Sequence, residues 1–226
     1  INFTENLSPV YKLLSNLTNN KELENKDLIG FVGAPWTLLV YMINKVSPKN
    51  GLSDFFFKDK ILISEVLSLL DKFIKFHIEN QIKAGATIIQ IFDSWAGLIQ
   101  KDFDKYLYEP TLSLVNHVKS LDVPVICFPR GISDYTKFTK IVEPNMINID
   151  YHVDPKALIK SLDIPVQGGL DPKVLLSSKE NLKIKVKKYL EIFKDHPYVF
   201  NLGHGILPET QLDMVYELVE IVRNYK

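Results

Sequence analysis

An α/β fold built on parallel strands follows from three features of the 226-residue sequence. Six short apolar runs, starting near Leu28, Ala86, Val123, Asn145, Ile164 and Tyr198, alternate with helical segments. No tight hairpin signal joins two runs, so neighbouring strands require helical crossovers, which are right-handed. Every run also exits into polar or glycine-rich residues, whereas an open doubly wound sheet concentrates function near one switch point. A Gly-x-Gly-x-x-Gly fingerprint is missing: Gly30 and Gly33 lack it, and Gly203-x-Gly205 has no third glycine in place. The expectation is a (β/α)8 TIM-barrel type of fold with about six of the eight β/α units in this chain. Six runs leave two alternatives, a further two strands upstream of Ile1 or an open sheet.

The elements follow in order. Ser8-Pro9 reads as an N-cap with proline at the first helical position, leading into a helix over Val10–Leu17. Asn19-Asn20 and the charged run Lys21–Asp27 interrupt it before the first strand. The stretch 28–41 then passes from an apolar run through Gly33 and Pro35 into a helix start, with Thr37 and Tyr41 on one helical face. Ser47–Gly51 reads as a loop, and Phe55, Phe56 and Phe57 as core packing or a partner surface. Over 59–84, Leu62, Val66, Leu69, Leu70, Phe73, Ile74 and His77 recur at helical spacing, and Gly85 ends the segment. Ala86–Phe92 is a near-continuous apolar run, as expected of a strand covered on both faces.

A second long helix is expected from about Gln100 to Lys119, then a strand over Val123–Phe128 and a short helix over 133–142. Asn145–Ile149 is the fourth strand, and Asp154-Pro155 caps a brief turn through Ser161. Ile164–Gln167 is the fifth, exiting at Gly168-Gly169 before Asp171-Pro172. A Lys-rich helix from about Ser178 to Phe193, a strand over Tyr198–Leu202 and a helix over Glu209–Ile221 complete the chain.

Composition narrows the classes of function. Apolar residues make up 46% and charged residues 24%, as in ordinary globular proteins. Lys plus Arg equals Asp plus Glu at 27 each, which gives no support to a nucleic-acid partner. No stretch approaches the ~20 apolar residues of a membrane span. Cys127, the single cysteine, lies in an apolar run, has no partner for an internal disulfide and points to a reducing compartment. Without a Cys/His cluster, a zinc site is not expected. Residue 1 is Ile, which suggests a processed chain or a fragment.

The strand exits carry the candidate groups: Tyr41 one helical turn on, Asp93 and Ser94, Arg130, Asp150, Gly168 and Gly169, and His204. In a barrel these face one mouth. Each has a plain alternative. His204 between two glycines suits acid–base work or a hydrogen bond to an anion, and equally a solvated loop. Ser94 is a hydrogen-bond donor or an N-cap, and lacks the Gly-x-Ser-x-Gly setting of a hydrolase nucleophile. Tyr41 acts on a ligand or satisfies its hydroxyl locally, and Asp93 caps or holds a neighbouring loop. Trp36 and Trp95 wall a pocket or fill the core. His77, His117, His152 and His196 read as structural or solvated.

Three blocks make a specific resemblance. Gly30-Phe-Val-Gly-Ala-Pro-Trp-Thr-Leu-Leu-Val-Tyr-Met42, Phe92-Asp-Ser-Trp-Ala-Gly97 and Asn201-Leu-Gly-His-Gly205 closely resemble the uroporphyrinogen decarboxylase family, and Gln167-Gly-Gly-Leu-Asp-Pro172 fits it too. The blocks stand in the family's order across nearly the whole chain. The resemblance implies a (β/α)8 barrel, usually a cytoplasmic homodimer, in porphyrin and haem biosynthesis. Its reaction removes carbon dioxide from the four acetate side chains of uroporphyrinogen III, giving coproporphyrinogen III, with no metal and no organic cofactor. It further implies Tyr41, Ser94 and His204 as active-site residues, with Phe31 and Phe92 lining the cleft beside the tetrapyrrole. Arg130 stands where lysine is common and keeps the positive charge beside the substrate.

Two departures qualify this. The family's amino-terminal arginine-rich motif and central substrate-binding aspartate have no counterpart here, and Asp93 belongs to a different block. Residues 1–226 are thus expected to be the carboxyl-terminal two thirds of one barrel domain, inactive alone and needing the missing segment. The alternatives are a zinc-dependent corrinoid or thiol methyltransferase of the same superfamily, and an inactive protein that retains only the fold.

Overall fold

In a computed structural model of the chain, residues 3–48, 51–52 and 58–225 are described. The triple phenylalanine at 55–57 lies outside the described residues. The residues cluster into two compact units, Ile1–Asn145 and Met146–Lys226.

The first unit holds the strands β1 (Ile29–Gly33), β2 (Ile88–Asp93) and β3 (Val125–Pro129), all parallel and paired in that order. Helices α2 (Pro35–Asn44) and α3 (Lys60–Lys83) lie between β1 and β2, and α4 (Glu109–Lys119) lies between β2 and β3. The register pairs Gly33 with Phe92 and Phe92 with Phe128, so the three strands end level with one another. Pro35 opens α2 as its first residue, where a missing N–H costs no hydrogen bond. Asp59 caps α3, its carboxylate accepting the Leu62 N–H at 2.9 Å.

Several boundaries differ from expectation for reasons visible in the packing. Helix α1 runs Phe3–Thr18 and keeps Pro9 inside it, rather than starting after Ser8. Its first turns are held by tertiary contact: Phe3 packs its ring on Phe73 at 4.8 Å and on Phe76 at 6.1 Å. The deepest face of α3 is Ile63, Leu67, Ile74 and Ile78, while Leu62, Leu69 and Phe73 are exposed. Apolar residues occur on more than one face of this helix, so periodicity alone selects the wrong stripe. The expected Gln100–Lys119 helix begins as a π-helical turn, Asp104–Tyr108, before α4. Pro110 cannot donate to the carbonyl of Tyr106, and the Glu109 N–H instead bonds Asp104 O across the wider turn.

The second unit holds β4 (Met146–Ile149), β5 (Val166–Gly168) and the two-residue β6 (Tyr198–Val199), again parallel and in order. The longer sixth strand expected is reduced to that pair plus one bridge between Leu170 and Leu202. Helices α7 (Lys179–Ile192) and α8 (Leu212–Arg223) pack Leu182, Val186, Met214 and Leu218 over Leu170 and Leu175. Ser178 caps α7, its hydroxyl accepting the Asn181 N–H at 3.2 Å. Asp154 and Asp171 do the same for the turns at Pro155 and Pro172. A short helix, α5 (Tyr135–Val142), closes the first unit after β3, and α6 (Pro155–Leu158) follows β4. The chain is α/β of TIM-barrel type, with six β/α units among the described residues.

Candidate functional site

In the first unit the ends of all three strands meet. The Ala34 N–H donates to Phe92 O at 2.8 Å, the Arg130 N–H to Asp93 O at 3.0 Å, and the Gly97 N–H to Arg130 O at 2.9 Å. Gly97 is required by this closeness: a Cβ there would lie 2.7 Å from the carbonyl oxygen of Gly131. Phe31, Phe92 and Phe128 form an aromatic row across β1, β2 and β3, each adjacent pair edge-on at 5.9 Å. Phe31 is the open end of that row at 63% exposure. Tyr41 is also exposed, and its ring stands edge-on to Trp95 at 6.0 Å. Ser94 is half-buried in the turn that leaves β2.

Asp93 points the other way. Side chains alternate along β2, so Asp93 shares with Ile91 the face opposite Phe92, and there it meets α2. The Thr37 hydroxyl donates to Asp93 Oδ1 at 2.5 Å, and the Trp95 N–H donates to Thr37 Oγ1 at 3.1 Å. The Trp36 indole N–H donates to Trp95 O at 2.9 Å. Burial pushes the Asp93 carboxyl up to about 7, although the Thr37 hydroxyl pulls it down. On the same face Cys127 is buried, and burial, then the neighbouring Asp93 charge, push its thiol far up.

Sequence reasoning places Thr37 and Tyr41 on one face and leaves Asp93 to face the mouth, to cap or to hold a neighbouring loop; the bonds above turn it from the mouth and tie it to Thr37. It misses Gln81. This buried glutamine of α3 accepts the Phe31 N–H and donates to Phe31 O, both at 3.0 Å. It thereby satisfies the backbone of β1 on the side away from β2. The available signal is a polar residue on the otherwise apolar buried face of α3.

The second unit gathers the remaining strand exits. Gln167 Nε2 donates to Asn148 Oδ1 at 2.7 Å, a buried pair that ties β4 to β5 just before their exits. Gly168 and Gly169 follow with φ of 85° and 100°, a conformation that favours glycine. Their carbonyls accept the hydroxyls of Tyr198 at 2.7 Å and Tyr189 at 2.6 Å. Burial, then nearby aspartates, push the Tyr189 phenol up to about 12, so it donates throughout the neutral range. The Gly203 N–H donates to Leu170 O at 2.8 Å, and a Cβ on Gly203 would lie 2.5 Å from the Tyr151 nitrogen. His204 follows on the exposed side of this loop. The Gly205 N–H donates to its Nδ1 at 2.6 Å, which leaves the neutral ring's proton on Nε2.

Ser94 and Arg130 thus follow the ends of β2 and β3 in the first unit, with Phe92 next to last in β2, Phe31 within β1 and Tyr41 in α2. His204 lies in the loop beyond Gly203 in the second, where Asp150 follows β4 and Gly168-Gly169 stand at the end of β5. Among the other histidines, His77 meets the Tyr11 hydroxyl at 2.9 Å, His117 lies 3.2 Å from Glu79, and His196 Nε2 lies 3.0 Å from Ile164 O. Of the structural and solvated alternatives that the sequence leaves for these three, the contacts are structural. Among the described residues no three His, Cys, Asp or Glu side chains are grouped to hold a metal. No helix among them is long and apolar enough to cross a membrane.

The family model described as Uroporphyrinogen decarboxylase (URO-D) matches residues 1–225. A uroporphyrinogen decarboxylase of Rickettsia bellii (strain RML369-C) is 39% identical over 238 residues, covering 100% of this chain and 68% of its own length. One of Rickettsia africae (strain ESF-5) is 38% identical over 234 residues, with 100% and 67% covered. The chain therefore spans about two thirds of the length of these curated relatives. Among solved structures, a methyltransferase from Methanosarcina mazei superposes with a TM-score of 0.74 at 17% identity, covering 94% of this chain and 62% of its own. A B12-independent methionine synthase from Shewanella sp. W3-18-1 gives 0.56 at 16%, covering 93% and 66%. At such identities these two speak for the fold alone. The match from residue 1 to 225 and the identity to relatives over the whole chain settle the family: this chain belongs to the uroporphyrinogen decarboxylase family of carboxy-lyases.

Proposed function

We propose that the protein removes carbon dioxide from the four acetate side chains of uroporphyrinogen III, giving coproporphyrinogen III, in porphyrin and haem biosynthesis. We further propose that it works in the cytoplasm as a homodimer. The observation that carries the activity is the family match along residues 1–225, with the Tyr41, Ser94 and His204 blocks all present. In each step the bond between the acetate methylene and its carboxylate breaks. Protonation of the adjacent pyrrole makes the ring the acceptor of the electron pair, and a second proton completes the methyl group as the ring proton is released. Carbon dioxide is the product, and the net reaction consumes one proton.

The protein's task is to seat the macrocycle, orient its carboxylates and supply protons where water is partly excluded. The Phe31–Phe92–Phe128 row offers apolar surface to a pyrrole face. The Tyr41 hydroxyl and His204, whose proton lies on Nε2, are donors suited to carboxylates, with Ser94 assisting. Arg130 supplies a permanent positive charge for an acetate or propionate group. No single one of these is assigned as the general acid.

The test is turnover of uroporphyrinogen III by the 226-residue chain and by the product of its complete reading frame, with Tyr41→Phe and His204→Asn in each active form. Each substitution keeps approximate size and removes one polar function, and a loss of about tenfold to a hundredfold in kcat/KM is expected. Wild-type turnover by both variants would remove these residues from the reaction. Stoichiometric zinc with transfer of a methyl group to a thiol would move the protein to the methyltransferases that share its fold.

A further inference from the structure

The junction of α2 with the exit of β2 is tied by more bonds than packing requires. Asp93 is 3% exposed, yet it is a carboxylate facing a helix rather than solvent. Its Oδ1 takes the Thr37 hydroxyl, and the oxygen of that hydroxyl takes the Trp95 N–H. Trp36, next to Thr37, donates its indole N–H to Trp95 O. Both backbone groups of Trp95 are therefore held by the first turn of α2. One helical turn beyond Thr37 stands Tyr41, its ring against Trp95, and between Asp93 and Trp95 stands Ser94. Asp93 Oδ2 is buried without a hydrogen-bond partner, so the hold of Asp93 on α2 runs through Oδ1 and Thr37.

We propose that Asp93 is a positioning residue, acting through Thr37 to hold the helix that carries Tyr41 against the turn that carries Ser94. This rests on the reading of Tyr41 and Ser94 as substrate-facing groups. A hydroxyl-to-carboxylate bond is roughly twice as strong as one between neutral groups, so the ionised form of Asp93 ties the junction more tightly. Thr37 is the polar group facing it from α2, and the ionisable group facing it from β3 is the Cys127 thiol, which burial keeps neutral. With its carboxyl pushed up to about 7, Asp93 changes charge in the neutral range. The junction is accordingly looser below that value and tighter above it.

Trp36 and Trp95 are the two tryptophans of the chain, and both are bonded into this junction, so their fluorescence reports on it directly. The experiment follows emission against pH in the 226-residue chain for wild type, Asp93→Asn, Thr37→Val and Thr37→Ser. Wild type and Thr37→Ser are expected to show a transition near pH 7, Asp93→Asn none, and Thr37→Val one displaced upward. In the product of the complete reading frame, Thr37→Val is expected to lower kcat at least about tenfold with little change in KM, and Thr37→Ser to restore it. A Thr37→Val protein with wild-type emission, or with wild-type kcat, overturns the proposal. So does an unchanged pH transition in Asp93→Asn, and if that variant does not fold, the two Thr37 variants decide. Should the wild-type protein not decarboxylate uroporphyrinogen at all, the functional reading falls by itself, and the emission profiles still decide the Asp93–Thr37 link.

Discussion

Asp93→Asn should change the pH dependence of stability in a direction opposite to that of most carboxylates. In the folded chain, burial pushes Asp93 from 3.8 to about 7, against a partial pull downward from Thr37. Between those two values the native state still holds a proton that the unfolded chain has released. Stability therefore falls as pH rises through this window, by ~1.4 kcal/mol per pH unit. The contribution is largest below 3.8, declines toward 7 and is level above it. From about pH 5.5 to about pH 7 the loss is about 2 kcal/mol. Asparagine preserves the volume and an Oδ1 for Thr37 but has no proton to lose. Urea denaturation followed by far-UV circular dichroism, at several values from about pH 5.5 to 8.5, should show the variant gaining about 2 kcal/mol relative to the parent over the lower half of that range. The difference between the two profiles is the informative quantity, because a buried amide N–H carries a cost of its own at every pH. Parallel profiles would refute the assignment of a raised, buried carboxyl at this position.

Three further outcomes follow from single contacts. Gln81→Leu leaves the Phe31 N–H and C=O without their two 3.0 Å partners, and should cost about 1–3 kcal/mol and speed amide exchange at Phe31. In the His204 loop, Gly203→Ala should destabilise strongly, because its Cβ would lie 2.5 Å from the Tyr151 backbone nitrogen, whereas Gly205→Ala meets nothing within 4 Å and should be near neutral in melting experiments. Cys127 should resist thiol reagents at neutral pH until the chain unfolds, since burial and the Asp93 charge keep it protonated; rapid labelling of the native protein would contradict its placement.

What the sequence makes legible is what neighbouring residues decide among themselves. The apolar runs of β2 to β5 are recognisable because both faces are covered, and Pro35 and Asp154 mark a helix and a turn start because such a signal needs only its own first turn. Legibility ends where a distant partner decides. Ser8-Pro9 carries a correct local signal for a helix start, yet Phe3 packs on Phe73 and the helix extends back through the proline. The α3 stripe is misplaced in part because Leu62 and Leu69 fit the period as well as the buried Ile63 and Leu67 do. The candidate site divides the same way. Tyr41, Ser94 and His204 stand out through motif blocks that are local strings of residues. Gln81, which secures β1 from 50 positions away, and the bond from Thr37 to Asp93, 56 positions apart, belong to no string at all. The motifs thus mark the groups that would meet a substrate, while the contacts holding those groups in place are written in residues that look ordinary until the chain is folded. Thr37 sits inside a recognised block as an inconspicuous helical residue. Its hydroxyl nevertheless joins two strand exits, which is why its replacement by valine is a sharper question than the loss of any more conspicuous side chain.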